Sequence, residues 1–116
     1  MSVVHLENVA ETVFAPEAKV RFVHGENMTL AYWSFTPSDF QPPPHSHPHE
    51  QLIQVLEGTL EVWIDGTSTI LGPGSVALVA PQKPHWARAV TDCRVLDIFH
   101  PVREDYRSGN FAVIQT

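Results

Sequence analysis

Cysteine is nearly absent from this chain of 116 residues: Cys93 stands alone. No disulfide can close within the chain, and no thiolate cage is available, so any bound metal must be held by nitrogen and oxygen. Positive charge is also scarce. Seven Lys and Arg against thirteen Asp and Glu leave a formal net charge of −6, and no basic run exists to neutralise phosphates, which argues against a nucleic-acid partner. The same deficit gives no long-range pull on an anionic ligand, so an anion would have to be held locally, by a metal or a placed arginine. Long apolar runs are missing: none approaches the span of a membrane helix. The opening MSVVHLENVAETVF has neither the basic start nor the apolar run of a secretory signal. The expectation is a cytoplasmic protein without a membrane partner. Helical periodicity is weak throughout, and the most helix-like stretch, 16–20, is short and led by proline.

What is present suits one small domain, expected to span 1–116. Hydrophobic residues at 43% and charged ones at 17% are the proportions of a globular chain with one core, not of a disordered one. Ten prolines fall mainly between short apolar runs, the punctuation of a β-protein. Strands are expected at 20–24, 28–36, 51–56, 59–64, 69–71, 75–80, 85–90, 94–99 and 111–115. Within 28–36, Ala31, Trp33 and Phe35 alternate with Tyr32, Ser34 and Thr36; within 59–64, Leu60, Val62 and Ile64 alternate with Glu61 and Trp63. Asp65 and Gly66 form a hairpin signal because both positions tolerate φ > 0. Many short strands with regular turns imply a sandwich or closed barrel.

Chemistry concentrates in HSHPHEQ, residues 45–51. Neutral imidazole supplies a lone pair near neutral pH and is the commonest protein ligand of metals. In an extended segment 45, 47, 49 and 51 share a face, which sets Gln51 in phase with His45 and His47 and Glu50 out of phase. Pro48 interrupts that alternation and keeps Glu50 open as an alternative. A fourth ligand must come from another strand, and His85 follows Pro81 and Pro84, which stiffen its approach. His49 is read as a supporting or exposed group rather than a ligand. His5, His24 and His100 are read as surface or packing residues.

HSHPHEQLIQVLEG at 45–58 resembles the first cupin motif, and GSVALVAPQKPH at 74–85 resembles the second. The 15 residues between Gly58 and Gly74 suit the short hairpin of a small single-domain cupin. The resemblance covers about 28–100 and implies an all-β jelly-roll barrel holding a divalent metal ion (Ni, Zn, Fe or Mn) on His45, His47, Gln51 and His85. Two departures stand out: Gln51 replaces the usual glutamate, and Ala89 stands where an asparagine is common. A His/His/Gln/His set is neutral, so the ion keeps its full charge, which favours an anionic oxygen and Lewis-acid chemistry. It lacks the two-histidine, one-carboxylate set of many iron oxygenases.

A second string, VLDIFHPVREDY at 95–106, places Val95, Asp97 and Phe99 on one face of a strand and Arg103 beyond Pro101. Alone, Asp97 reads either as an exposed interruption or as an interior carboxylate, and Arg103 as a surface charge. With HSHPHEQ, this string resembles the KdgF family of pectin-degradation cupins. That resemblance implies opening of the ring of 4,5-unsaturated uronates, with Asp97, Phe99 and Arg103 lining the active site and a small anionic carbohydrate-like substrate. Asp97 would then move a proton, Arg103 would clamp a carboxylate, and Phe99 would shape the wall. The rival readings are another metal-dependent cupin enzyme (a dioxygenase or lyase) and a cupin that binds a sugar acid without turnover. The resemblance further implies a homodimer, with expected terminal strands at 3–9 and 111–115 as its candidate interface. Trp33, Trp63, Trp86 and Phe111 are read as core or interface residues.

Overall fold

The computed structural model describes residues 2–109. Nine strands follow one another: β1 (Thr12–Ala15), β2 (Ala18–His24), β3 (Thr29–Phe35), β4 (Glu50–Glu57), β5 (Leu60–Ile64), β6 (Thr67–Leu71), β7 (Val76–Val79), β8 (His85–Ala89) and β9 (Cys93–His100). A single short helix, α1 (Glu104–Arg107), comes after them. Six strands form one sheet in the order β1-β2-β3-β9-β4-β7, and three form a second in the order β6-β5-β8. All pairings are antiparallel. The two sheets make the jelly roll, and the inner residues of every long strand are its core. Strand β9 illustrates the pattern, with Cys93, Val95, Asp97 and Phe99 buried and the intervening residues less so. No helix among the described residues is long and apolar enough to cross a membrane.

Register sets which interior side chains meet. Across the large sheet, Thr29 pairs with Phe99, which pairs with Gln51, which pairs with Val79. One step along, Ala31, Asp97, Ile53 and Ala77 align; a further step aligns Trp33, Val95 and Val55. On the small sheet the matching steps are Ile64 with His85, Val62 with Ala87 and Leu60 with Ala89. Two turns fix these registers. Asp65 and Gly66 take φ of 46° and 97°, the left-handed pair that a two-residue hairpin requires. Gly58 sits at φ 83°, and a Cβ there would lie 2.1 Å from the Asp92 carbonyl oxygen, so only glycine lets the chain pass between β4 and β5.

Three local expectations change. Residues 3–9 form no strand; they contain a single 3-10 turn, Leu6–Asn8, and are largely exposed. Among the described residues no strand lies beside them to pair with. Strand β1 arises instead at Thr12–Ala15, hairpinned onto β2, and Pro16 and Glu17 supply the turn where a helix-like pattern stood. Helix α1 is a single turn, too short to leave a periodic signature. The strand expected at 111–115, with Phe111, lies outside the described residues.

Candidate metal and acid–base site

The chain before β4 crosses to the small sheet at one isolated bridge, His45 with His85. Their backbones exchange two hydrogen bonds, of 3.1 and 2.9 Å. This brings His45 and His85 to a ring separation of 4.5 Å, with His47 at 4.9 Å from His85 and 6.5 Å from His45. Gln51, the second residue of β4, points into the same space and is fully buried, whereas Glu50 is exposed. His85 is fully buried and His47 nearly so.

The imidazoles are held in defined tautomers. His47 Nδ1 donates to the His49 carbonyl at 3.0 Å, and His85 Nδ1 donates to the Lys83 carbonyl at 2.8 Å. Each ring therefore carries its lone pair on Nε2. Burial, followed by the charges of Arg103 and His85, lowers the His47 pKa to about 4, and burial also lowers that of His85, so both rings are neutral near pH 7. His47 Nε2 then faces Gln51 Oε1 at 3.0 Å, a lone pair against a lone pair. Turning the amide over would relieve this contact but would set its carbonyl against Asp97. His85 Nε2 is buried with no hydrogen-bond partner.

These features fit a cation. A separation of 3.0 Å is the edge of an octahedron about 2.1 Å in radius, the bond length of imidazole and oxygen ligands to first-row ions. Among the described residues, no three His, Cys, Asp or Glu side chains form a metal cage by themselves. The three imidazoles thus do not converge as a cage by themselves, and the candidate set of His45, His47, Gln51 and His85 rests on the family resemblance and on the facing lone pairs of His47 and Gln51.

Asp97 lies one register step from Gln51 and is 2% exposed. Burial pushes its carboxyl up to about 7, against the opposing pull of the Gln51 amide, the Trp33 indole N–H and the Arg103 charge. Oδ1 has no partner, and neither do Gln51 Nε2 and Trp33 Nε1. Both donors face the carboxylate without closing a hydrogen bond.

Phe99 is fully buried and lies 5.7 Å from the His47 ring. Arg103 is 1% exposed, not at the surface as the residue taken alone would suggest. Its guanidinium lies 4.8 Å from the Phe99 ring and 3.9 Å from the Tyr106 ring. Nε and Nη2 donate to Asp105 at 2.9 and 2.6 Å. The Arg103 backbone N–H donates to Thr29 Oγ1 at 2.9 Å, and that hydroxyl is 2.9 Å from His24 Nδ1. Arg103 thus stands near the site as a charge already paired bidentately with Asp105. Thr29, Asp105 and Tyr106, which hold it, were not singled out by the sequence; the Arg-x-Asp-Tyr spacing was the one available signal. His49 is half-buried, 5.4 Å from the His47 ring and 6.4 Å from that of Phe99. His5 and His100 are exposed.

A cavity of about 460 Å³ opens beside His45, between the inner faces of the two sheets, with Trp33 in its wall. Of the candidate site residues, His45 lines this cavity, and Trp33 in its wall turns its indole N–H toward Asp97.

The cupin domain profile matches residues 31–99 of this chain. The fold is similar to that of KdgF from Halomonas sp., at 25% identity with a TM-score of 0.83, covering 90% of this chain and 99% of that one. It is also similar to an RmlC-like cupin from Shewanella frigidimarina, at 24% identity and a TM-score of 0.81, covering 89% and 93% of the two chains. An uncharacterized HTH-type transcriptional regulator of Bacillus subtilis, YobQ, is 30% identical over 70 residues. That match takes in 57% of this chain and only 29% of the regulator.

Proposed function

The chain belongs to the cupin domain family, and from that footing we propose that it is a metal-dependent enzyme acting on an anionic, enolisable substrate, by a KdgF-like opening of 4,5-unsaturated uronate rings to linear keto acids. The observation that carries this reading is Asp97: a buried carboxylate with one oxygen unpartnered, beside Gln51 and Trp33. A carboxyl left so in a core is costly, and such groups concentrate at functional sites.

His45, His47, Gln51 and His85 would hold a divalent ion (Ni, Zn, Fe or Mn). Bound there, the ion supplies positive charge for oxygens that become anionic in the transition state. The chain's own groups account for the rest. Asp97 takes the proton from the C1 hydroxyl as the bond between C1 and the ring oxygen breaks. That leaves an aldehyde at C1 and an enolate oxygen on C5. Asp97 then returns the proton to C4, giving the 5-keto acid with no atom gained or lost. A carboxyl whose pKa stands at about 7 can serve both halves of that transfer near neutral pH. Arg103, fixed by Asp105 and Thr29, contributes a held positive charge to the substrate carboxylate. Phe99 keeps water from the reacting face.

The test is to incubate the metal-loaded protein with a 4,5-unsaturated monouronate and follow loss of the double-bond absorbance against a control without enzyme. Acceleration is expected; none with metal bound overturns the reading. Pairing into a homodimer belongs to the same proposal. Val76 and Leu78, exposed on edge strand β7, offer apolar surface for it, and sedimentation velocity decides.

A further inference from the structure

One wall of the cavity beside His45 is aromatic. Trp33 and Phe35 stack at 5.1 Å with their planes 15° apart, and Phe14 leans on Trp33 at 5.0 Å. The facing wall, on the small sheet, carries Leu60, Ala87 and Ala89. Packed sheets stand about 10 Å apart and fill the gap by interdigitating side chains from both faces. Methyl groups opposite an indole leave that layer unfilled, and the result is a slot roofed by Phe40 and the prolines at 42–44.

Polar groups are sparse in the slot. Glu17, Thr36 and Ser38 lie at its rim, near strand ends, and Arg88 pairs with Glu61 at 2.5 Å on the outward face. His45 is the polar side chain at the inner end. A hydroxyl placed between the face of the Trp33 ring and Ala87 would lose its water against carbon, since the Trp33 N–H is turned toward Asp97, and such burial of a polar group is costly. A flat apolar ring would lose nothing and would stack on the aromatic wall.

We propose that this slot binds a planar, apolar body of the ligand, whose oxygen-rich, enolisable head lies at the His45–His85 end. The inference rests on the acid–base centre proposed above and extends its substrate class from uronates to enolisable acids that carry a flat apolar ring. It makes Phe35, Ala87 and Ala89 specificity determinants.

Calorimetric titration of the metal-loaded protein with phenylpyruvate and, separately, with pyruvate tests this, because the two acids share a head and differ by the ring. Phenylpyruvate is expected to bind about tenfold tighter or more, the range that burial of a ring gives. Ala87→Leu fills the slot and should remove that advantage while leaving pyruvate affinity within about twofold. A melting curve checks that Ala87→Leu folds, and Phe40→Ser on the exposed roof, which should lower phenylpyruvate affinity alone, gives a second reading without entering the core. Equal affinities, no binding of either acid, or an advantage that survives in folded Ala87→Leu would overturn the inference. Uronate turnover without a phenylpyruvate advantage defeats this inference and leaves the ring-opening reading standing; the advantage without uronate turnover supports it and defeats the other.

Discussion

The two ends of the barrel interior are built on the same strands and filled with opposite chemistry. At one end stand Thr29, Gln51 and Phe99 of the large sheet and His85 of the small one; two to three register steps away stand Trp33, Phe35 and Val95 facing Leu60 and Ala89. Strand β8 changes from His85 to Ala87 to Ala89, and β9 from Phe99 through Asp97 to Val95. Each two-residue step is about 7 Å along a strand, so a polar centre and an apolar slot come within one ligand's length of each other. A core can hold unpartnered polar atoms only if its remaining contacts make up the stability. The two ends should therefore fail differently.

The largest difference is expected in catalysis. Asp97→Asn keeps the shape of the polar end and removes its proton carrier, so kcat should fall by about 10²–10⁴-fold with metal content unchanged in elemental analysis; retained turnover would exclude proton transfer by Asp97. At the apolar end the counterpart is Leu60→Ala, fully buried, which should cost about 2–5 kcal/mol in denaturant unfolding while leaving metal stoichiometry intact. Gln51→Ala should weaken metal affinity by more than the roughly 10–100-fold that loss of a ligand's supporting partner costs, whereas Glu50→Ala, at an exposed position, should not; the reverse would put the ligand on the wrong face of β4.

A further difference concerns pH. Asp97 has a folded pKa of about 7 against an ordinary 3.8. The unfolded chain gives up this proton as pH rises past about 4, and the folded chain keeps it until about 7. The folded state binds more protons between those values, so the contribution of Asp97 to stability declines as pH rises through that window. His47, with a folded pKa of about 4 against 6.5, acts with the opposite sign, losing stability as pH falls from about 6.5 to 4, but it is present in both proteins being compared. Metal-free Asp97→Asn should thus melt above the wild type near pH 8 and no higher near pH 4. A shift independent of pH would mean that burial does not hold the carboxyl protonated.

How much of this was legible depended on how local its cause is. The alternations in β3, β5 and β9 and the Asp65–Gly66 turn depend on neighbouring residues, and the strands followed from them. The approach of His45 to His85 was expected only because a second strand had to supply a ligand. Asp97 was open between an interior and an exposed position, because its side is decided by which strands flank β9. Taken alone Arg103 read as a surface charge, and only the family resemblance placed it at the active site, because its burial depends on Asp105, Tyr106 and Thr29, the last of them 74 residues away. The apolar slot was invisible, because it arises from alanines of one sheet meeting aromatics of the other. Residues 3–9 looked like a strand and are not one, since alternation without a neighbour makes no ladder.

The His45–His85 bridge joins positions forty residues apart in the chain, and it does so between two sheets that share no other named pairing. The paired imidazoles accordingly exist only once the sheets have docked, which gives the site a high contact order and puts it late in assembly. An ion that needs both rings cannot bind the unfolded chain as it binds the native one. On the proposed metal site, its concentration would set the population of closed barrels by mass action, and the melting temperature would become a titration of the metal around the protein.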